Sequence, residues 1–343
     1  MAAVVAVEEL RRSGARAVRV LAVAACYYAA ARLGLLRELT VEGAVVTPIW
    51  PPTGVAVAAL LVLGPWCWPG ITLGAFFSVL SLTAPGIETL GILCGNTAAP
   101  LCAALLLRRA GFRTDLGRLR DGLALVFLAA LGAMLISATA GVGLLVLTDG
   151  LPAHGFWPVW LAWWVGDAMG VLIVTPLLLS LHRASRPLPL GRWKEATALA
   201  VAVCLLVPLA AYSTLSLNFL VYPLIIWAAL RFQLVGSVLC ALVTSVVATV
   251  AATAGAGGFA GLSRIEVMLK LQAFNGAMAL TALLLSAVII EQRDTRRSVE
   301  RACRELAEVL EHLTAGEPPP SPPPRPHATT DGADDRPRPT GAP

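Results

Sequence analysis

Ten apolar runs set the terms on which this chain can fold. They lie near 17–36, 54–64, 68–83, 87–107, 122–147, 156–181, 195–213, 216–230, 233–253 and 266–290. In hydrocarbon no water reaches a backbone N–H or C=O, so each run must close its hydrogen bonds within itself, as a helix. The chain is 57% hydrophobic and only 14% charged, with a mean hydropathy of +0.76, whereas a soluble domain carries about 25% charged residues. The fold class is therefore all-α: a polytopic integral membrane bundle in contact with the lipid bilayer. The 54–64 run is short against the roughly 20 residues of a full span, so a re-entrant segment is the alternative there.

Charge placement counts the crossings. Basic residues gather at Arg11, Arg12, Arg16 and Arg19; at Arg108, Arg109, Arg113, Arg118 and Arg120; at Arg183, Arg186, Arg192 and Lys194; and at Arg293, Arg296, Arg297, Arg301 and Arg304. The positive-inside rule puts all four clusters in the cytoplasm, with an even number of crossings between successive clusters. Reading 54–64 and 68–83 as two short helices hinged at Gly64-Pro65-Trp66-Cys67-Trp68-Pro69-Gly70 satisfies that parity; one broken helix does not. The expectation is about ten transmembrane helices, eight at the fewest, with both termini cytoplasmic.

The domain organisation follows: a cytoplasmic segment at 1–16, a transmembrane domain at 17–290, a cytoplasmic juxtamembrane helix at 291–316 and a tail at 317–343. Residues 1–16 lack an apolar core followed by a small-residue cleavage site, so the first apolar run reads as an uncleaved anchor. In the juxtamembrane helix Val299, Cys303, Leu306, Leu310 and Leu313 step by four and three, a short coiled-coil seam that offers homodimerisation through 299–313; a solvated helix is the plain alternative. The tail is Pro-rich and polar, and reads as disordered. The net charge of +5 is accounted for by topology and does not argue for nucleic acid. Seven cysteines show no metal-ligand spacing and read as small packing residues. No His pair stands at metal spacing, and no metal or other cofactor is expected.

Four local patterns stand out within the apolar runs. In Pro48-Ile49-Trp50-Pro51-Pro52-Thr53-Gly54, Pro51 and Pro52 suit the first turn of a helix, and Trp50 suits a membrane interface. In Trp68-Pro69-Gly70-Ile71-Thr72-Leu73-Gly74, Pro and Gly break one helix and small residues let the next pack closely. Gly91 and Gly95 form a small-residue face beside Asn96, a mid-membrane amide that needs a partner. Asn218, Gln272 and Asn275 are further amides that can pair between helices, Glu266 and Lys270 read as a surface pair, and Arg231 marks a cytoplasmic helix end.

The fourth pattern, Trp163-Trp164-Val165-Gly166-Asp167-Ala168-Met169-Gly170, carries the sharpest question. A carboxylate at mid-membrane costs several kcal/mol, roughly 2.5–3.5 on insertion scales. Asp167 must find a partner, a water-filled cavity or a proton. Gly166 and Gly170 leave a small-residue face beside it. The structural reading is a carboxylate that pairs with a neighbouring helix. The functional one is a ligand or proton site lined by Trp50, Asn96, Trp164 and Asp167.

Taken in order, WPPTGVAVAALLVLG, WPGITLGAF, the Gly95-Asn96-x-Thr element followed by Leu-rich sequence and Arg-Arg, and WWVGDAMGVLIVTPLLL resemble the first type of bacterial membrane-associated sensor (MASE) domain over roughly 17–295. The resemblance implies an integral-membrane input module of signal transduction, in a family that usually precedes kinase, diguanylate-cyclase or phosphodiesterase parts. No GGDEF-like, EAL-like or kinase motif follows here, so the output is expected to pass through the C-terminal helix to a separate cytoplasmic signalling protein. No enzymatic activity is expected, because no catalytic constellation stands at membrane depth. The alternative is a small-molecule transporter or its substrate-binding membrane subunit, since broken helices and a midplane acid serve transport too.

Overall fold

The computed structural model describes residues 2–183, 192–215 and 217–315. The chain divides into two units at Arg293/Asp294. Helices α1 (Ala2–Gly34), α2 (Pro51–Val62), α3 (Trp68–Leu80), α4 (Ile87–Arg109), α5 (Leu119–Ala124), α6 (Met134–Leu147), α7 (Phe156–Arg183), α8 (Trp193–Tyr212), α9 (Val221–Thr253) and α10 (Arg264–Ala315) follow one another, with one small hairpin, β1 (Leu39–Val41) and β2 (Ala44–Val46), between α1 and α2. The protein is an all-α polytopic membrane bundle.

Among the described residues seven helices are long and apolar enough to cross a membrane: 13–34, 87–109, 119–147, 153–183, 193–212, 217–253 and 264–311. The difference from the ten runs of the sequence has a physical origin. Helices α2 and α3 span only 12 and 13 residues, short of a full crossing. Helix α9 is continuous in hydropathy but broken at Gln233, whose φ of 56° and ψ of −142° are not helical. Its break lies beside the start of α8, where Arg192 donates to the Arg231 carbonyl over 3.3 Å. Gly257, just past its end, packs on Ala211 and Tyr212 at the other end of α8. Helix α9 thus doubles back at Gln233. Helix α1 begins at Ala2 and so runs through the 1–16 segment. The Pro-rich stretch at 317–343 and Arg186 lie outside the described residues.

Basic residues gather on one face of the transmembrane unit and close its helix ends. Arg108 donates to the Leu60 carbonyl at the end of α2 (2.7 Å), Arg120 to Ala110 past the end of α4 (3.0 Å), and Arg293 to Leu230. Arg231 forms an ion pair with Glu195. Carbonyls at helix ends are short of intrahelical donors, and these guanidinium groups donate to them; the Leu60 carbonyl also accepts from the Gly64 N–H. The opposite face carries the hairpin. Glu42 and Gly43 take φ of 50° and 85°, the two-residue turn that matches strand twist and needs positive φ twice. It pairs Leu39 with Val46 and Val41 with Ala44, and buries Val41 and Val46 against Val142, Leu151, Val159 and Met268.

Helices close on one another through glycine. A Cβ on Gly54 would strike the Gly170 carbonyl, one on Gly170 the Trp50 carbonyl, and one on Gly166 the Thr47 carbonyl. Gly70 and Gly74 meet the Val20 and Ala24 carbonyls of α1 in the same way, and Gly91 and Gly95 meet α6 at Ala140 and Ser137. Small residues let backbones approach within van der Waals range, the main attraction between helices in lipid. Pro51 and Pro52 occupy the first turn of α2, and Trp68 and Pro69 that of α3, after a break at Gly64, whose φ is 105°.

In the second unit Arg296 pairs with Glu300 one turn on (2.9 Å). Val299, Leu306 and Leu310 are exposed there, as is Cys303.

Candidate functional site

One glycine contact and three hydrogen bonds fix the position of Asp167. Helices α2 and α7 touch at Gly54–Gly170, and the Trp50 N–H, which α2 leaves free at its start, donates to the Gly166 carbonyl over 2.9 Å. One turn into α2, Thr53 Oγ1 donates to Asp167 Oδ1 over 2.6 Å. Below them Thr175 Oγ1 donates to the Gly54 carbonyl (3.1 Å). Asp167 is only 1% exposed, and its second oxygen, Oδ2, has no hydrogen-bond partner.

A cavity of about 120 Å³ lies against this carboxyl. Its walls come from α1 (Tyr27), the hairpin and its exit (Val46, Thr47), α2 (Trp50), α3 (Ser78, Val79), α4 (Ile92, Asn96) and α7 (Trp163, Gly166, Asp167). It reaches toward Leu82 and Thr83, which are exposed past the end of α3. That end lies on the hairpin side, away from the basic face. Asn96 Oδ1 is already occupied by Ser137 Oγ (3.2 Å). Among the described residues no Arg, Lys or His lines the cavity, so none of them offsets the acid.

Of the four residues singled out from the sequence, Trp50, Asn96 and Asp167 line this cavity and Trp164 does not. Trp164 Nε1 donates to the Leu131 carbonyl (2.9 Å), and its ring stacks on Trp160 at 5.6 Å. Residues three and four apart both share a helix face; the bond to Leu131 and the stack on Trp160 hold Trp164 outside the cavity, and Trp163 lines it. Leu131 belongs to a π-helical stretch, Leu125–Ala133, between α5 and α6. The apolar sequence of that stretch carries no sign of the widened turn. Thr53 and Tyr27 were also missed. Thr53 was legible as the residue one turn after Trp50; Tyr27 carried no signal, being one aromatic residue in an apolar run.

The remaining polar residues divide. Gln272 Nε2 donates to the Ala162 carbonyl (3.0 Å), joining α10 to α7. Asn275 is fully buried with neither side-chain polar atom partnered. Glu266 and Lys270 do not pair. Glu266 accepts from the Ser263 N–H (2.8 Å), as acids at a helix start do, and Lys270 donates to the Gly258 carbonyl (2.6 Å). No group of three or more His, Cys, Asp or Glu that could hold a metal ion occurs among the described residues.

Comparison with known families settles the lineage. The MASE1 family matches residues 19–293, which is the whole transmembrane unit from the middle of α1. The chain belongs to the MASE1 family. MASE1 domains are membrane-associated sensor domains, so this is a multi-pass membrane protein of sensor type. No curated protein and no solved structure matches this MASE1 chain.

Proposed function

We propose that this MASE1 chain is the input module of a bacterial signalling system, has no enzymatic activity of its own, and binds a small ligand in the cavity at Asp167. It sits in the cytoplasmic membrane with the basic face and both termini in the cytoplasm, which the positive-inside rule supports. The cavity then faces the outer side. The output passes to a separate cytoplasmic protein through 291–315, where the exposed stripe at Val299, Leu306 and Leu310 also suits pairing of two copies.

One observation carries this reading: Asp167 lines the cavity, and its Oδ2 is buried without a partner. A carboxylate kept for packing would have both oxygens satisfied, since a buried polar atom without a partner costs about 1–3 kcal/mol and a charged one more. Nor is the acid needed to join α2 to α7, because Gly54, Gly166 and Gly170 already do so. A ligand that prefers one arrangement of α7 shifts the balance of arrangements. The Gln272–Ala162 hydrogen bond offers a route from α7 to α10. Transport receives less support. The helix breaks at Gly64 and Gln233 lie toward the basic face, whereas transporters place their broken helices at the midplane site.

The test is native mass spectrometry of the full chain released from membranes, for the wild type and for Asp167→Asn. The wild type is expected to carry a bound small molecule that the folded variant lacks. A wild type without adduct, or an adduct retained by Asp167→Asn, overturns the reading.

A further inference from the structure

We infer that the ligand is a small organic ammonium ion bearing at least one N–H, whose charged nitrogen pairs with Asp167 Oδ2 while its alkyl part lies among Tyr27, Trp50 and Trp163. This rests on the cavity at Asp167 being the ligand site, as proposed above.

The chemistry follows from what the walls offer and what they lack. Asp167 Oδ2 is a buried acceptor without a donor. Among the described residues the only other ionisable side chain lining the cavity is Tyr27, so no cation among them stands ready to neutralise the acid. A buried carboxylate with no counter-charge is expensive, and a ligand that brings the positive charge relieves that cost on binding. An anionic ligand would meet the reverse. Three aromatic residues line the same space, and aromatic rings attract cations through the negative face of the π-system. The remainder of the wall is mostly aliphatic: Leu35, Val45, Val46, Val79 and Ile92. It suits an alkyl chain and does not suit a sugar or a peptide.

Geometry selects the N–H. Oδ1 already accepts from Thr53, and Oδ2 is buried without a partner. An ammonium hydrogen can fill that unmet acceptor with a charge-assisted hydrogen bond, which a quaternary nitrogen cannot make. Volume sets the size. An apolar cavity of about 150 Å³ holds benzene. The 120 Å³ here takes a cation of about five or six non-hydrogen atoms.

Binding also couples to protons. An ammonium ion pairs with the ionised carboxylate and displaces any proton held there, so affinity falls as the pH is lowered. Asp167 and Tyr27 are the titratable groups of the site, and only Asp167 faces the cation as an acid.

The experiment is isothermal titration of the purified full chain with three probes: n-butylammonium, its neutral isostere butan-1-ol, and tetramethylammonium. Butylammonium is expected to bind saturably and at least about tenfold more tightly than either of the others. Asp167→Asn is expected to abolish that margin. On the wild type alone, acidification is expected to weaken butylammonium and leave butan-1-ol unchanged, which keeps the test intact if the variant does not fold. If butan-1-ol binds as tightly as butylammonium and both need Asp167, the site stands and the ammonium assignment falls. Equal binding of tetramethylammonium removes the N–H pairing. If no probe binds, or binding survives in Asp167→Asn, both the assignment and the site fall.

Discussion

Gly170→Ala is the smallest change that should take the site apart. The added methyl would fall well inside contact distance of the Trp50 carbonyl oxygen, and the neighbouring atoms are backbone, so no side chain can swing aside. Helices α2 and α7 must separate by a distance on the order of 1 Å, and overpacking of this kind costs about 1–3 kcal/mol. The separation also pulls on the two hydrogen bonds that span the contact, Trp50 N–H to Gly166 and Thr53 to Asp167. Losing the bond to the carboxyl adds about 1–3 kcal/mol. The total, about 2–6 kcal/mol, lowers Tm by roughly 4–24 °C at about 2–4 °C per kcal/mol for a domain of this order. Gly276 is the internal control, a mid-helix glycine with nothing within 4 Å of its would-be Cβ. Gly276→Ala should gain up to about 1 kcal/mol from helix propensity and raise Tm slightly. The assay is thermal unfolding of both variants in one detergent, followed by the accessibility of buried Cys67 and Cys240 to a thiol dye. Equal shifts for the two variants would refute the close-packing argument, because they would mean that neither glycine is held against a backbone.

Other outcomes follow from the same structure. A periplasm-active reporter fused at Gly150 and a cytoplasm-active reporter fused at Arg113 should both be active; activity of a periplasmic reporter at Arg113 would reverse the orientation. Asn275→Leu should leave Tm unchanged or raise it, since both polar atoms of that buried amide lack partners and an apolar replacement of similar shape relieves the cost; a large loss of stability, read by the same unfolding assay, would mean that the amide has a partner. Replacing Leu306 and Leu310 by Lys should reduce disulfide cross-linking at Cys303 if two copies pair through that exposed stripe, and unchanged cross-linking would leave a solvated helix.

Much of the fold was legible because lipid leaves the chain few choices. Each apolar run had to be a helix, and the prolines at 51, 52 and 69 marked helix starts that the structure keeps. The hinge at Gly64 was readable because Gly and Pro flank it on both sides. The hairpin at 39–46 was not anticipated, although Glu42-Gly43 between β-branched residues is a hairpin signal, because apolar periodicity dominates such a sequence. The reversal at Gln233 and the π-helical stretch at 125–133 have no compositional mark: each is a matter of backbone angles within an apolar run. At the site, Asp167, Asn96 and Trp50 stood out as polar or interfacial types in the wrong solvent. Trp163 and Trp164 are identical in type, so only their tertiary contacts separate them. Tyr27 reaches the cavity through the α1–α3 contact at Gly74, a tertiary relation that no local pattern records.

The most direct test of the central claim is a cryo-electron microscopy map of the full chain in lipid nanodiscs, read at Asp167. The account predicts an open cavity bounded by Tyr27, Trp50 and Trp163, with non-protein density within hydrogen-bond distance of Oδ2. A closed cavity, with Oδ2 bonded to a protein side chain, would contradict it and make Asp167 a packing residue.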